Sequence, residues 1–319
     1  MSFAGGGSDL SAYYRQSPGA VLSTSIDKYV YVMINQKFDS YIRISYSQTE
    51  YVNDINEIGH NIIRETLRKM DYKDPGLDIV YMADVLPRNW GTGLGFSSSL
   101  TVGLLNAIYA LRGQTVSPEK LAKEACEIEI DILNSPIGKQ DQYAAAYGGL
   151  NYIQFNKDET VEVNPLLCAK SFIHNLSKNL LLFFTGLNSD SNMVLGEQKV
   201  NTKKNNLVRG SLDSLVSLAT ELKEAFNQNN MDSMGEILHK GWLSKRTLAS
   251  KITNSRIDEY YDAAIKLGAT GGKLLGSGGG GFFLFYCPEK YQNRLRNSLG
   301  LKELPFKFES SGSTIIQTK

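Results

Sequence analysis

Two acidic residues in the middle of the chain have the chemistry of a phosphoryl-transfer or acid–base site. Asp141 closes the loop Pro136-Ile137-Gly138-Lys139-Gln140-Asp141-Gln142, and Glu129 stands twelve residues before it on a helical stretch. An aspartate on a tight loop with a lysine nearby can take a proton from a hydroxyl, because the cation keeps the carboxylate ionised. A glutamate held on a rigid helix suits Mg²⁺, which takes one or two carboxylates and fills its shell with phosphates and water. The ordinary reading of the same residues stays open: Asp141 caps a helix beginning at Gln142, and Glu129 is solvated.

Three glycine-rich segments could approach a ligand with bare backbone. Gly91-Thr92-Gly93-Leu94-Gly95-Phe96-Ser97-Ser98-Ser99 leads directly into a helix. Glycines allow close approach to a phosphate, and the free N–H groups of a helix start point at an anion. Serine hydroxyls there can reach phosphate oxygens or Mg²⁺. A dinucleotide fingerprint is excluded, since Phe96 stands where GxGxxG needs glycine. A P-loop is excluded too: its nearest lookalike, Gly272-Lys273, is followed by Leu274 and lacks the leading glycine. Gly276-Ser277-Gly278-Gly279-Gly280-Gly281 precedes a strand and, flanked by Leu274-Leu275 and Phe282-Phe283, reads as a tight buried turn. The opening segment Met1–Leu10, with Gly5-Gly6-Gly7-Ser8-Asp9, reads as loop.

These loops need elements to hold them. β-branched and aromatic residues predict strands within Ala20–Asn35, at Tyr41–Ser47 and at Leu77–Ala83. Helical spacing predicts helices at Ile55–Met70 and from about Ser97, where Leu100, Val102, Leu104, Leu105, Ile108 and Leu111 nearly encircle the axis before Gly113. Ser117-Pro118 opens another helix that runs to about Leu133. Gln142–Tyr147 reads as a short helix and Gly149–Phe155 as a strand. The second half predicts a strand at Leu180–Thr185 and helices at Leu207–Asn227, Met231–Ser250 and Arg256–Leu267. It closes with a strand at Phe282–Cys287, a helix at Glu289–Leu299 and a terminal strand. Strands and helices mix without regular βαβ alternation, which predicts an α+β fold.

Composition excludes several function classes. The 319 residues carry 34 Lys plus Arg against 33 Asp plus Glu, and that near-neutral balance has no nucleic-acid footprint or polybasic tail. Three scattered cysteines and three scattered histidines make neither a disulfide framework nor a zinc site. No apolar run reaches membrane-span length and no signal-peptide pattern opens the chain, so the expectation is a soluble protein of a reducing cytoplasm. The sequence leaves the oligomeric state open; a homodimer is compatible with it.

In this order, GGGSDL at Gly5–Leu10, the GLGFSSS loop and LLGSGGGGFF resemble the three motifs of the GHMP kinases, and the likeness spans essentially the whole chain. The resemblance implies a two-domain α+β fold. Residues 1–168 would form an amino-terminal domain of ribosomal-protein-like topology that carries the phosphate loop, and 169–319 a ferredoxin-like carboxy-terminal domain. It also implies ATP and Mg²⁺ as cofactors and a small sugar phosphate as partner. Within the family, FAGGGSDL, PIGKQDQYAAAYGGLNYI and GWLSKRTLASKITN look most like the heptose 7-phosphate kinases, which phosphorylate O1 and supply precursors of nucleotide-activated heptose for bacterial surface glycans. Fucokinase-type anomeric sugar kinases and a non-catalytic ligand-binding member are the alternatives.

By similarity, Asp141 is the general base, with Lys139 beside it in sequence. Glu129 and Ser97 match the Mg²⁺-binding pair. Gly91, Gly93, Leu94, Gly95, Ser97, Ser98 and Ser99 would cradle phosphate. Gly6, Gly7, Ser8 and Asp9 would contact sugar, with Gly278, Gly279 and Gly280 shaping the side that faces substrate. Lys245 and Arg246, ahead of Lys28 and Arg43, are candidates for the sugar's own phosphate, with Arg246 preferred because guanidinium suits phosphate recognition. The chain departs from the family pattern in two ways. Phe96 replaces a small residue, and Met1 falls inside the first motif, so that the strand and basic residue relatives carry before the glycine loop are expected to be missing.

Overall fold

A computed structural model describes residues 1–74, 76–85 and 93–316. The described residues pack into two compact units. One comprises 1–27, 93–94 and 149–310; the other comprises 28–74, 76–85, 95–148 and 311–316. Gly19–Ile26 pairs antiparallel with both Leu150–Phe155 and Phe308–Glu309, so the amino terminus shares a unit with the second half of the chain.

The first unit holds two antiparallel sheets. In one, the order is Ser2–Ala4, Gly19–Ile26, Leu150–Phe155 and Val161–Pro165, with Phe308–Glu309 also paired to Gly19–Ile26. Gly19–Ile26 is buried along both faces through Thr24, a run of small and aliphatic residues without a charge. The segment expected as loop before the glycines is therefore part strand: Ser2–Ala4 lies at the edge of this sheet, paired with Gly19–Ile26. The other sheet runs Gly271–Leu274, Phe282–Tyr286, Leu180–Phe184 and Lys302–Glu303. The serine–glycine turn between its first two strands is thus a hairpin connection.

The second unit carries a mixed sheet, ordered Val30–Gln36, Leu77–Ala83, Ile42–Ser45 and Thr49–Val52, with one parallel pairing between Ile42–Ser45 and Leu77–Ala83. Strand Val30–Gln36 alternates exposed and covered residues, the period of a sheet with one wet face. The helix Phe96–Leu111 buries Leu100, Val102, Leu104, Leu105 and Ile108 as its pattern predicts, while Leu111 turns outward. Ser117 caps the helix Pro118–Cys126 by accepting the Lys120 N–H at 3.2 Å.

Several boundaries differ from expectation for identifiable reasons. The single helix expected over Ile55–Met70 is a short 3₁₀ turn, Ile55–Glu57, and a separate helix, Asn61–Lys69. The Glu50 carboxylate captures the Gly59 and His60 N–H groups at 2.5 and 3.2 Å and holds the chain open between them. The helix from Pro118 continues to Ile132, close to its expected end, but its last part pairs more widely: Glu127–Ile132 is a π turn. Met231–Ser250 narrows to Met234–Arg246, and two helices absent from the sequence reading, Lys170–Lys178 and Ser191–Lys204, precede it. Among the described residues no helix is long and apolar enough to cross a membrane.

The core of the first unit gathers around Trp242, which is fully buried and meets Phe283 edge-on at 6.0 Å and Tyr261 at 5.9 Å. Trp242→Ala empties the largest buried side chain of that cluster. It is expected to cost roughly 3–5 kcal/mol, read as a lowered urea midpoint at unchanged slope.

Candidate active site

The helix Phe96–Leu111 starts without a side-chain cap. The residue before it, Gly95, sits at φ +73° and ψ 30°, a left-handed conformation that favours glycine. The first intrahelical bond runs from the Ser99 N–H to the Gly95 carbonyl at 3.0 Å. The first-turn N–H groups of Phe96, Ser97 and Ser98 thus have no acceptor within the helix, and the helix dipole adds to their pull on an anion. Phe96 does not crowd this turn: its ring leans on Tyr81 of the sheet, centroids 6.0 Å apart at 52°. Gly91 lies outside the described residues. Gly93 and Leu94 are half-buried, and a Cβ on Gly276 would lie 2.4 Å from the Gly93 Cα, so those two backbones meet closely enough to require glycine.

Glu129 is the most unusual carboxylate of the second unit. It lies within the π turn and is only 2% exposed. Three neighbours donate to it. Gln142 gives its Nε2–H to Oε2 at 2.7 Å, and the Ser97 and Ser98 hydroxyls supply two further hydrogen bonds. Burial nevertheless outweighs these donors and raises the Glu129 pKa, and the negative charge of Asp141 adds to the rise. Gln142 is itself fully buried, and its Oε1 has no hydrogen-bond partner.

Asp141 is exposed and lies in the first turn of the helix Gln140–Tyr147, whose cap position is Lys139. The helix begins two residues earlier than a cap at Asp141 would require, so the capping reading of Asp141 does not hold. A Cβ on Gly95 would lie 3.4 Å from the Asp141 Cγ, which puts this carboxyl against the uncapped start of the helix Phe96–Leu111. Lys139 is half-buried. Ser97, Ser98, Glu129, Gln142, Asp141 and Gly95 therefore form one cluster. A hard cation suits it: a buried carboxylate with a raised pKa, a second carboxylate acting on it, serine hydroxyls and an orphan amide oxygen are the oxygen donors that Mg²⁺ takes.

The glycine-loop residues of the first unit form a separate group. Asp9 is 2% exposed and accepts the Gly7 N–H at 2.9 Å. Ser8 is fully buried, and its hydroxyl is engaged by backbone: it accepts the Ala20 N–H at 3.0 Å and lies 2.8 Å from the Gly5 carbonyl. Gly6 and Gly7 are half-buried, with Gln198 packed over Gly7. The second glycine run is wedged between neighbours: Gly278 against Ile252, Gly279 against the Lys251 carbonyl, and Gly280 against the Leu187 carbonyl. Ser277 hydrogen-bonds the Ser191 hydroxyl at 2.9 Å.

The candidate phosphate-binding cations have other partners. Lys245 is buried and donates to the Leu274 and Gly276 carbonyls at 2.7 and 2.6 Å, clamping the hairpin. Arg246 faces Asp258 at 3.6 Å, and Arg43 forks onto Asp78. Two residues that sequence reading did not single out for function stand at these clusters. Gln142 follows Asp141 directly, and its helical position was the available signal. Lys273 stands in a strand that is buried throughout, and a lysine in so apolar a run was the signal there.

Because the folded chain binds the Glu129 proton more tightly than the unfolded chain, its ionisation lowers stability as pH rises through the folded pKa. Below the ordinary glutamate value of 4.5 that loss is absent. Glu129→Gln is therefore expected to melt near the wild-type temperature at about pH 4 and above it at about pH 7, by thermal unfolding across that range. A difference that does not grow with pH would contradict the burial argument.

Comparison with known proteins supplies a family. The GHMP kinases N terminal domain matches residues 60–149 and the GHMP kinases C terminal domain matches residues 222–303, together more than half of the chain. The chain is 29% identical over 318 residues to the D-glycero-alpha-D-manno-heptose 7-phosphate kinase of Campylobacter jejuni, across 93% of this chain and 90% of that protein. It is 30% identical over 219 residues to the bifunctional fucokinase/GDP-fucose pyrophosphorylase of Arabidopsis thaliana, covering 67% of this chain but 20% of that protein. In fold it superposes on a D-glycero-D-manno-heptose 1-phosphate kinase from Bacteriodes thetaiotaomicron with a TM-score of 0.80 at 24% identity, over 98% of this chain and 94% of that one. The uncapped helix after the glycine loop, the buried glutamate beside it and these matches along the chain lead to one conclusion: the protein belongs to the GHMP kinases.

Proposed function

We propose that this chain is an ATP- and Mg²⁺-dependent sugar kinase that phosphorylates O1 of D-glycero-α-D-manno-heptose 7-phosphate. The domains of this reading are 1–168, which carries the phosphate loop, and 169–319. The observation that carries it is the cluster of Glu129, Ser97, Ser98, Gln142 and Asp141 at an uncapped helix start. Similarity to a heptose 7-phosphate kinase over nearly the whole length supports the substrate class.

In this reading the first-turn N–H groups of the Phe96–Leu111 helix bind ATP phosphate oxygens, with Gly93, Leu94, Gly95 and Ser99 shaping the cradle. Glu129 and Ser97 hold Mg²⁺, which when bound neutralises phosphate charge. Asp141 accepts the proton of the sugar hydroxyl as its oxygen bonds to the γ-phosphorus and the bond to the β-bridging oxygen breaks, releasing ADP. Transfer is direct, and positioning supplies most of the catalysis. Asp9, with Gly6, Gly7 and Ser8 shaping its loop, receives sugar hydroxyls, while Gly278, Gly279 and Gly280 bound the substrate side. Arg246 remains the proposed contact for the 7-phosphate, which requires it to leave Asp258.

Two observations define what must be tested. The names of the heptose kinases this chain resembles differ in the phosphate they cite, 7-phosphate in one and 1-phosphate in the other. The fucokinase likeness keeps a free-sugar substrate as the second reading. ADP release with ATP·Mg²⁺ across D-glycero-D-manno-heptose 7-phosphate, D-mannose, L-fucose and D-galactose separates these, and NMR of the product locates the new phosphate. Turnover on the heptose phosphate alone is expected. Asp141→Asn should lower kcat by about 10²-fold or more while the KM for ATP stays near the wild-type value. An equal loss of ATP affinity would remove Asp141 from the proposed role.

A further inference from the structure

Among the described residues, five buried side-chain polar atoms have no hydrogen-bond partner: the Ser23 and Tyr72 hydroxyls, Trp242 Nε1, Gln198 Nε2 and Gln142 Oε1. Four of them carry a hydrogen of their own. The Gln142 oxygen alone can only accept, so what it lacks is a group that brings a proton to it. An acceptor left unpaired away from water forfeits its solvation, and each such group in a folded chain calls for a cause.

Gln142 is fully buried in the first turn of the helix Gln140–Tyr147. Its Nε2–H donates to Glu129 Oε2 at 2.7 Å. The Ser97 and Ser98 hydroxyls bond the same carboxyl group, and a carboxylate only accepts. The amide is therefore oriented with its nitrogen on Glu129, and the oxygen is the end left over. Both ends share one planar amide, so the unpaired oxygen lies within an amide's width of the Glu129 carboxylate. The preceding residue, Asp141, brings its own carboxyl to this helix turn, against Gly95.

Solvating Glu129 uses only the nitrogen end of the amide. The oxygen end is surplus to that task and is a burden on a purely structural residue. At a cation site the same oxygen has a use. Mg²⁺ takes one or two carboxylates and keeps several waters, whose hydrogens need acceptors around the ion. Outer partners of this kind orient the groups that touch the metal and tune its affinity.

We infer that Gln142 is a positioning residue of the cation site: its amide nitrogen fixes the direction of Glu129, and its buried oxygen accepts a hydrogen bond from a water on the cation. This rests on the proposed Mg²⁺ site of Glu129 and Ser97. Gln142 touches neither ATP nor sugar in this account; it acts through Glu129 and that water.

The test titrates Mn²⁺, followed by its EPR signal, into ATP-saturated wild type, Gln142→Met, Gln142→Glu and Glu129→Gln without sugar, with ATP alone as the reference. Thermal unfolding with and without Mn²⁺, and turnover across Mg²⁺ concentration, accompany it. Gln142→Met removes both ends of the amide and should weaken Mn²⁺ binding about 10-fold or more. Its rate should need correspondingly more Mg²⁺ and then return near the wild-type kcat, with the sugar KM unchanged. Gln142→Glu keeps an acceptor oxygen and should bind Mn²⁺ at least as tightly as wild type, with a larger rise in melting temperature on adding it. Wild-type Mn²⁺ affinity in Gln142→Met, a loss of rate that excess Mg²⁺ does not restore, or a Gln142→Glu that loses affinity as Gln142→Met does, overturns the inference. Should Gln142→Met fail to fold, Gln142→Asn decides: its shorter amide must show the same loss of Mn²⁺ affinity, and wild-type affinity overturns the proposal. A Glu129→Gln variant with wild-type Mn²⁺ affinity overturns the proposed cation site and this inference together. Loss in Glu129→Gln beside an indifferent Gln142→Met overturns this inference alone.

Discussion

A carboxylate placed where water cannot reach it must be solvated by protein, and the second unit is arranged around that requirement at Glu129. Three donors converge on it from two other segments: Ser97 and Ser98 from the helix Phe96–Leu111 and Gln142 from the helix Gln140–Tyr147. They do not make its burial neutral, and its pKa stays raised. That residual penalty is what a cation would relieve, which is why the cluster suits Mg²⁺ better than it suits a purely structural role. The widened turn at Glu127–Ile132 belongs to the same arrangement, since such turns recur where a helix must present a side chain out of its regular register.

The helix start beside these serines is uncapped, because Gly95 at the cap position has no side chain to accept the first-turn N–H groups. The first-turn N–H groups remain available to an anion. Phe96 is accommodated because its ring has Tyr81 to rest on.

The first unit solves a different problem with the same means. Its glycine runs bring backbone against backbone, as at Gly93 and Gly276, and buried side chains then saturate the crowded carbonyls. Lys245 does this for Leu274 and Gly276, and Ser8 binds its loop to Ala20. Residues that look like ligand contacts in the sequence are in part the fasteners that let so much glycine hold one shape. Lys273 is the exception, since its long contacts to Ser2 and Phe3 fasten little.

Much of this was legible in the residues alone. Ser117-Pro118 announced a helix start, the apolar ring from Leu100 to Ile108 a buried helix, and the three ordered motifs the family, because local backbone preference and periodicity are properties of short stretches. The split of Ile55–Met70, the helix over Ser191–Lys204 and the start of the helix at Gln140 were not legible. The first is held open by Glu50, a side chain from another segment, so no window of sequence around the helix contains the cause. The same distinction governs the site. The sequence by itself determined which residues have the chemistry: Glu129, Asp141, the serines, the glycine loops. Only the tertiary structure decided which of them meet, that Ser97, Ser98 and Gln142 donate to one buried carboxylate, that Arg246 faces Asp258 while Lys245 clamps a hairpin, and that Lys273 lies buried beside Ser2 and Phe3. The physical reason is that burial and long-range charge depend on distance in space, to which spacing along the chain is almost blind.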